Sequence, residues 1–217
     1  MTIAIFDLDN TLLSSDSEWM WSRYLYQRKI VDDKFLSRID EFFDEYEKGS
    51  LDLFDYEFYL MNSIKFLNEK ERQRLRGGFL EQIKDVIRPA LIQRVNDHRI
   101  KKHQIIMITA ANNFLAEPIS ELLGFDNLIC TQINMRNQKN MGKIIGMPAY
   151  REGKTSLLNQ WLTQRNETLD QSWGYSDSHN DLPILKMVTY PVAVVPDNIL
   201  REHADFSGWE IIENSDQ

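Results

Sequence analysis

A single cysteine, Cys130, in 217 residues leaves no internal disulfide and no thiolate set for a structural zinc, which fits a reducing compartment. Cys130 itself reads as a small core residue. Glycine and proline are scarce, nine and six, which excludes collagen-like and low-complexity chains. Long apolar runs are missing as well: Gln104–Ala111 is among the longest, far short of the roughly 18–20 residues of a membrane span. Basic residues are outnumbered, 25 Lys and Arg against 33 Asp and Glu, for a net charge of −8. A chain of that sign repels phosphate backbones and offers no basic stripe to nucleic acid. Met1–Asp7 has neither a basic leader nor a cleavage-like small-residue site. The expectation is a cytoplasmic protein, monomer or homodimer, with no nucleic-acid or membrane partner.

What is present is 42% hydrophobic residues in two distinct patterns. Thr2–Phe6 and Gln104–Thr109 are compact apolar runs ended by Asp7 and by a small polar residue, the form of buried parallel strands. Between them, from Ser14 to about Arg88, aromatic and aliphatic residues recur at three and four, as in Phe35, Ile39, Phe42, Phe43 and Tyr46. That spacing predicts a helical insertion. Ser15 with Glu18 and Asn68 with Glu71 have capping-box spacing, and Lys48–Ser50 reads as a break, so four helices are expected. After Thr109, short strands alternate with helices: Asn127–Gln132, Ser172–Ser176, Val192–Val195 and Trp209–Ile212 are the expected strands. The fold class is therefore α/β: a Rossmann-like, doubly wound, mainly parallel sheet from residues 1–13 and 89–217, with an all-helical unit, residues 14–88, inserted after the first strand.

In such sheets ligands bind at the carboxyl ends of the strands. Asp7 and Asp9 follow the first strand, Thr109 the second, and Asp177 and Asp181 the strand Ser172–Ser176. Four carboxylates gathered at one edge repel each other and raise one another's pKa, so the site calls for a cation. Oxygen-only ligands suit a hard ion, and an open site with water and a phosphate suits Mg²⁺. Lys154, just after Gly153 at a helix start, supplies a further positive charge. A screened carboxylate is a competent nucleophile toward phosphorus, an acid two residues on can protonate the leaving oxygen, and a threonine hydroxyl can hold phosphoryl oxygens.

Phe6–Leu12, the sequence FDLDNTL, resembles the first motif of the haloacid dehalogenase superfamily. Its other motifs follow in order: Ile106–Thr109, Lys154, and Gly174–Asp181 as the acidic fourth. The insertion resembles the C1-type cap of the phosphoserine-phosphatase-like branch, and Thr109–Pro118 and Tyr175–Pro183 are similar to its subfamily IB, some of whose members resemble histidinol-phosphate phosphatases. The resemblance implies Asp7 as nucleophile, Asp9 as general acid/base, Thr109 as phosphate ligand and Lys154 as stabilising cation. It also implies Mg²⁺ held by Asp7, Asp9 through its main-chain carbonyl, Asp177 and Asp181. Ala110 and Asn180 are expected on the substrate side.

Asp16 falls where phosphoserine phosphatases carry an acidic cap residue for the substrate ammonium, and it is equally an N-cap. Leu60 falls where those enzymes place an arginine for the substrate carboxylate, which favours a phosphorylated amine without a carboxylate. Trp19, Trp21 and Tyr24 read first as core and second as a stacking surface for a ring. The expected activity is Mg²⁺-dependent hydrolysis of a small phosphorylated metabolite, phosphoserine-like or histidinol-phosphate-like, through an aspartyl-phosphate. The alternatives are a phosphotransferase or mutase of the same fold and a non-catalytic phosphate-binding module.

Overall fold

In the computed structural model, which describes residues 2–136 and 138–213, six parallel strands form one sheet in the order β3-β2-β1-β4-β5-β6. They are β1 (Ile3–Phe6), β2 (Gln104–Asn112), β3 (Asn127–Thr131), β4 (Trp173–Ser176), β5 (Tyr190–Val194) and β6 (Glu210–Ile212). Met1 and residues 214–217, the outer ends of the expected core segments, lie outside the described residues, as does Asn137 in the turn-rich stretch after β3.

β1 is buried along its whole length because both of its faces are covered. Ile3 and Ile5, with Ile106 and Ile108 of β2, pack on Leu158, Trp161 and Leu162 of α7 (Glu152–Arg165). Ala4 and Phe6, with Ile105 and Met107, face Leu91 and Val95 of α5 (Pro89–Ile100) and Leu115 and Ile119 of α6 (Asn113–Leu123). Burial at about 1.5–3 kcal/mol per large aliphatic side chain makes this alternation the main determinant of strand register. Helix α5 occupies a stretch to which the sequence pattern assigns no element; Pro89 at its first turn is the start signal. The remaining helices after β4 are the short α8 (Leu182–Leu185) and α9 (Asn198–Ser207).

The four expected helices of the insertion are α1 (Ser17–Gln27), α2 (Asp33–Glu47), α3 (Leu53–Asn62) and α4 (Glu69–Ile83). Asn68 and Glu71 close the expected capping box on α4. The pair Ser15 and Glu18 does not: Asp16 caps α1 by accepting from the Trp19 N–H, and Glu18 turns elsewhere. The chain enters and leaves the insertion side by side, with Leu13 bridged to Ile87, Ser14 N–H donating to the Val86 carbonyl and Arg88 N–H to that of Leu12. Trp21 and Tyr24 are buried against Phe79, and Trp21 also meets Phe114 of α6 edge-on, so both serve packing. Trp19 is partly exposed beneath the Arg23 guanidinium.

Candidate active site

β1 delivers Asp7 by continuing its ladder one residue past its end, the Asp7 N–H donating to the Tyr175 carbonyl at 3.0 Å. The chain then makes a wide turn over Leu8–Leu12, in which Asn10 takes a left-handed φ of 55°. That turn brings Asp9 back toward β2 and toward the start of α1. Asp9 Oδ1 accepts from the Ser17 N–H at 2.7 Å, and Oδ2 from the Thr109 hydroxyl at 3.2 Å. Thr11, in the same turn, donates to Asp177 Oδ1 and accepts from the Asp177 N–H, both at 3.0 Å.

β2 runs three residues beyond its expected end, with a register shift against β3 between Thr109 and Asn112. The shift turns Ala110 and Ala111 into a cavity of about 510 Å³ above the strand ends, and the Ala111 N–H folds back onto Thr109 Oγ1. Asp7, Asp9, Thr109, Ala110, Lys154, Asp177, Asn180, Asp181 and Asp16 all line this cavity, so the structure gathers the candidate catalytic, metal and substrate residues at one place. Leu60 does not line it; it is fully buried in the core of the insertion.

Lys154 lies in the first turn of α7. It reaches Asp7 Oδ1 at 2.7 Å and Asp181 Oδ2 at 2.8 Å, and all three side chains are buried. Burial would lower the lysine pKa, but Asp181 and Asp7 outweigh it and keep the ammonium charged. Asp181 Oδ2 also accepts from the Ser176 hydroxyl, so this oxygen anchors the lysine. Burial, partly offset by Lys154 and reinforced by Asp181 and Asp9, moves the Asp7 pKa up to about 7. Burial and then the Asp7 charge raise Asp177 well above the carboxylate range, and burial raises Asp9. One lysine shared by two partners therefore leaves negative charge on Asp7 and Asp177 unbalanced.

This imbalance tests the fit of a divalent cation. Among the described residues no cluster of three or more His, Cys, Asp or Glu forms a ready-made cage. Two carboxylates, Asp7 and Asp177, with the main-chain carbonyl of Asp9, are a donor set that suits Mg²⁺, which keeps several waters and takes substrate phosphate oxygens.

Further residues build the walls of the cavity, and for most of them the sequence carried no sign of that role. Glu18 Oε1 accepts from the Asn112 N–H at 3.0 Å and from its side-chain amide at 2.5 Å, and Glu57 Oε2 accepts from the same amide at 2.9 Å. Asn112 also caps α6 through Leu115 N–H, so one asparagine joins α1, α3 and α6. Phe42, Phe43 and Tyr46 of α2 and Tyr56 of α3 roof the cavity. At the mouth, His179 Nδ1 meets Asp197 Oδ2 at 2.8 Å, and Asn180 Oδ1 accepts from Arg151 Nε at 3.1 Å. Thr11, Asn112, His179 and Asn180 lie inside segments that carry the family resemblance, and Asn180 is the one expected on the substrate side.

Comparison with known proteins agrees with this geometry. Residues 4–186 match the family model of haloacid dehalogenase-like hydrolases. A histidinol-phosphatase of Neisseria meningitidis serogroup C (strain 8013) is 37% identical over 217 residues, covering 97% of each chain. A solved protein of unknown function from Bordetella pertussis Tohama I superposes with a TM-score of 0.88 at 31% identity, covering 98% of this chain and 99% of that one. A substrate-bound phosphoserine phosphatase shares the fold, with a TM-score of 0.70 at 16% identity over 99% of this chain and 94% of that one. The chain belongs to the haloacid dehalogenase-like hydrolase family and is a phosphatase.

Proposed function

We propose that this protein is a Mg²⁺-dependent phosphomonoester hydrolase that works through an aspartyl-phosphate on Asp7 and acts on a small phosphorylated amine. The observation that carries the reading is the pairing of two differently held carboxylates. Asp7 is fixed by Lys154 at the end of β1, and Asp9 is fixed two residues on by Ser17 and Thr109. Asp7 attacks phosphorus as the ester P–O bond breaks, and Asp9, whose pKa burial raises, protonates the leaving alkoxide. Asp9 then takes a proton from water, whose oxygen attacks phosphorus and releases Asp7 and inorganic phosphate. Lys154 balances the charge that builds on Asp7 and the phosphoryl oxygens, and the Thr109 hydroxyl is placed to hold those oxygens. Mg²⁺ on Asp7, Asp177 and the Asp9 carbonyl would neutralise the carboxylates and the phosphate. Asp181 serves chiefly to hold Lys154. A receiver-like phosphate acceptor has no use for Asp9 or for a roof of helices.

We assign residues 14–88 as a cap that excludes water from the cavity and reads the organic part of the substrate. Two features favour an amine lacking a carboxylate. Asp16 lines the cavity as well as capping α1, and among the described lining residues Lys154 is the only Lys or Arg, so no guanidinium clamp faces a substrate carboxylate. The resemblance to a histidinol-phosphatase points the same way.

Phosphate release from histidinol phosphate, phosphoserine, sugar phosphates and nucleotides, with Mg²⁺ or EDTA, tests this reading. Release should require the metal, fall at least about a thousandfold in Asp7→Asn, and be fastest with histidinol phosphate. Release that survives Asp7→Asn would mean that the nucleophile is misassigned.

A further inference from the structure

Arg151 enters α7 in a backbone conformation that a residue with a side chain adopts only under strain. Its φ of 50° and ψ of −122° make it the first corner of the turn that the Gly153 N–H closes on the Tyr150 carbonyl at 2.9 Å, a corner that glycine fills most easily. The contacts of its side chain account for an arginine there. Its Nε donates to Asn180 Oδ1 at 3.1 Å and its Nη1 to the Gly49 carbonyl at 3.3 Å, and the guanidinium lies over the Tyr150 ring, 4.9 Å from the centroid. Asn180 lies between Asp177 and Asp181 in the α/β core, whereas Gly49 lies in the break between α2 and α3. One guanidinium therefore ties the core to the insertion at the cavity mouth. The fit is close on the insertion side, because Gly49 has a φ of 72° and a Cβ on it would come within 2.9 Å of Arg151 Nη2.

A guanidinium only donates, so it fixes which way the Asn180 amide faces. With Oδ1 turned to Arg151, the two N–H donors of the amide are left for other acceptors. One neighbour is Tyr46 at the end of α2, whose phenol burial pushes up and Asn180 draws down, the sign of an N–H given to its oxygen. Asn180 and Tyr46 line the cavity, and Arg151 acts on it through them.

We propose that Arg151 is a positioning residue for the bound phosphate: by holding Asn180 Oδ1 it presents the amide N–H donors to the cavity, and by holding the Gly49 carbonyl it keeps the α2–α3 break closed over the mouth. The proposal rests on the phosphatase reading above. The oxygens of a phosphate dianion only accept, so an amide that presents N–H groups attracts them and one that presents its own oxygen repels them. Without Arg151 the amide is free to turn over and the break is free to lift.

The test compares Arg151→Gly, Arg151→Ala and Arg151→Lys, with p-nitrophenyl phosphate as substrate and inorganic phosphate as competitive inhibitor, both with Mg²⁺. Glycine and alanine should each raise KM for the ester and the inhibition constant of phosphate about tenfold, with kcat changed about threefold or less, because the amide holds the phosphoryl group before and during reaction alike. Lysine, one donor in place of a fork, should recover part of the loss. The glycine variant should melt at a higher temperature than the alanine variant, since only glycine relaxes the corner. Equal kinetic losses in two variants of unequal stability separate positioning from folding. Trypsin reads the other contact: the exposed Lys48–Gly49 bond should be cut about tenfold faster in Arg151→Gly than in wild type. In Arg151→Gly, KM and phosphate inhibition within about twofold of wild type overturn the positioning of Asn180, and an unchanged cleavage rate overturns the clasp on Gly49. Kinetic losses present in alanine and absent in glycine assign Arg151 to folding alone and overturn the proposal. Wild-type enzyme that neither hydrolyses the ester nor binds phosphate overturns the phosphatase reading and the positioning role with it, and the tryptic rates still decide the clasp.

Discussion

Glu57 is wholly buried on α3, and its Oε1 has no partner among the described residues. Burial, only partly offset by hydrogen bonds with Asn112 and Glu18, lifts its pKa to about 8. A carboxyl whose folded pKa lies above its unfolded value of 4.5 binds a proton on folding, so its stabilising contribution is full below pH 4.5 and is lost as pH rises through about 8. Glu57→Gln keeps the acceptor for Asn112 and removes the titration. Its melting temperature should exceed that of wild type at pH 9, by the equivalent of roughly 1–3 kcal/mol, and match or fall below it at pH 5. A parallel shift at both pH values would show that Glu57 is ionised throughout. A second residue-scale test concerns Asp181, expected from the sequence as a metal ligand and found with one oxygen on Lys154 and Ser176. Asp181→Asn should lower kcat about 10- to 100-fold while the Mg²⁺ concentration for half-maximal activity moves about twofold or less; a direct ligand would move it tenfold or more. Asp7, Asp9, Thr109 and Asp177 were legible as candidates because they follow strand ends, and Lys154 because it opens a helix in the same chain order. Glu18 and Glu57 were not, because a glutamate on an amphipathic helix looks like a solvated one until tertiary packing buries it.

Among the elements, α7 shows how backbone contact fixes a side chain. Its first turn carries Lys154, and Gly153 just before it leaves no room for a Cβ, which would run into the Pro148 carbonyl oxygen. Gly153→Ala should displace that turn, costing about 2–4 kcal/mol in urea unfolding and most of the phosphatase activity. Gly77 is the contrasting case: it lies exposed in α4, and a methyl group there would meet nothing within 4 Å. Gly77→Ala should stabilise by about 0.5–1 kcal/mol and leave kcat/KM alone. Equal effects of the two substitutions would remove the argument from close approach. The sequence pattern placed most helices and strands because apolar periodicity survives burial. It stopped β2 at Thr109, since the bulge that carries the strand on to Asn112 is made by pairing with β3 and leaves no local signature. It missed α5 because its apolar residues are sparse around polar ones, and it took Glu18 for a capping residue because spacing alone cannot say which of Ser15 and Asp16 caps α1.

At the scale of the molecule, one hydrophobic cluster runs from Phe6 and Met107 in the sheet through Phe114 and Leu115 of α6 to Trp21 and Phe79 in the insertion. Shared packing of this kind couples the stabilities of the parts it joins. Urea unfolding followed by tryptophan fluorescence and by far-ultraviolet circular dichroism should give coincident single transitions; two separated transitions would show that α1–α4 unfold independently of the sheet. The α/β class and a run of four helices after β1 were readable in advance, since both follow from periodicity and chain order. The docking of α1 and α4 on α6 was not, because it depends on which faces meet in space. The hydrogen bond from Ser17 N–H to Asp9 Oδ1 makes the first turn of α1 the mount of Asp9, eight residues away along the chain. Any tilt of α1 as a substrate enters therefore turns this carboxyl, and its aim is set by how well the occupant holds the helix. Esters of poor leaving groups, which need a proton in flight, will feel that leverage, and esters of nitrophenols, whose anions depart unaided, will be deaf to it.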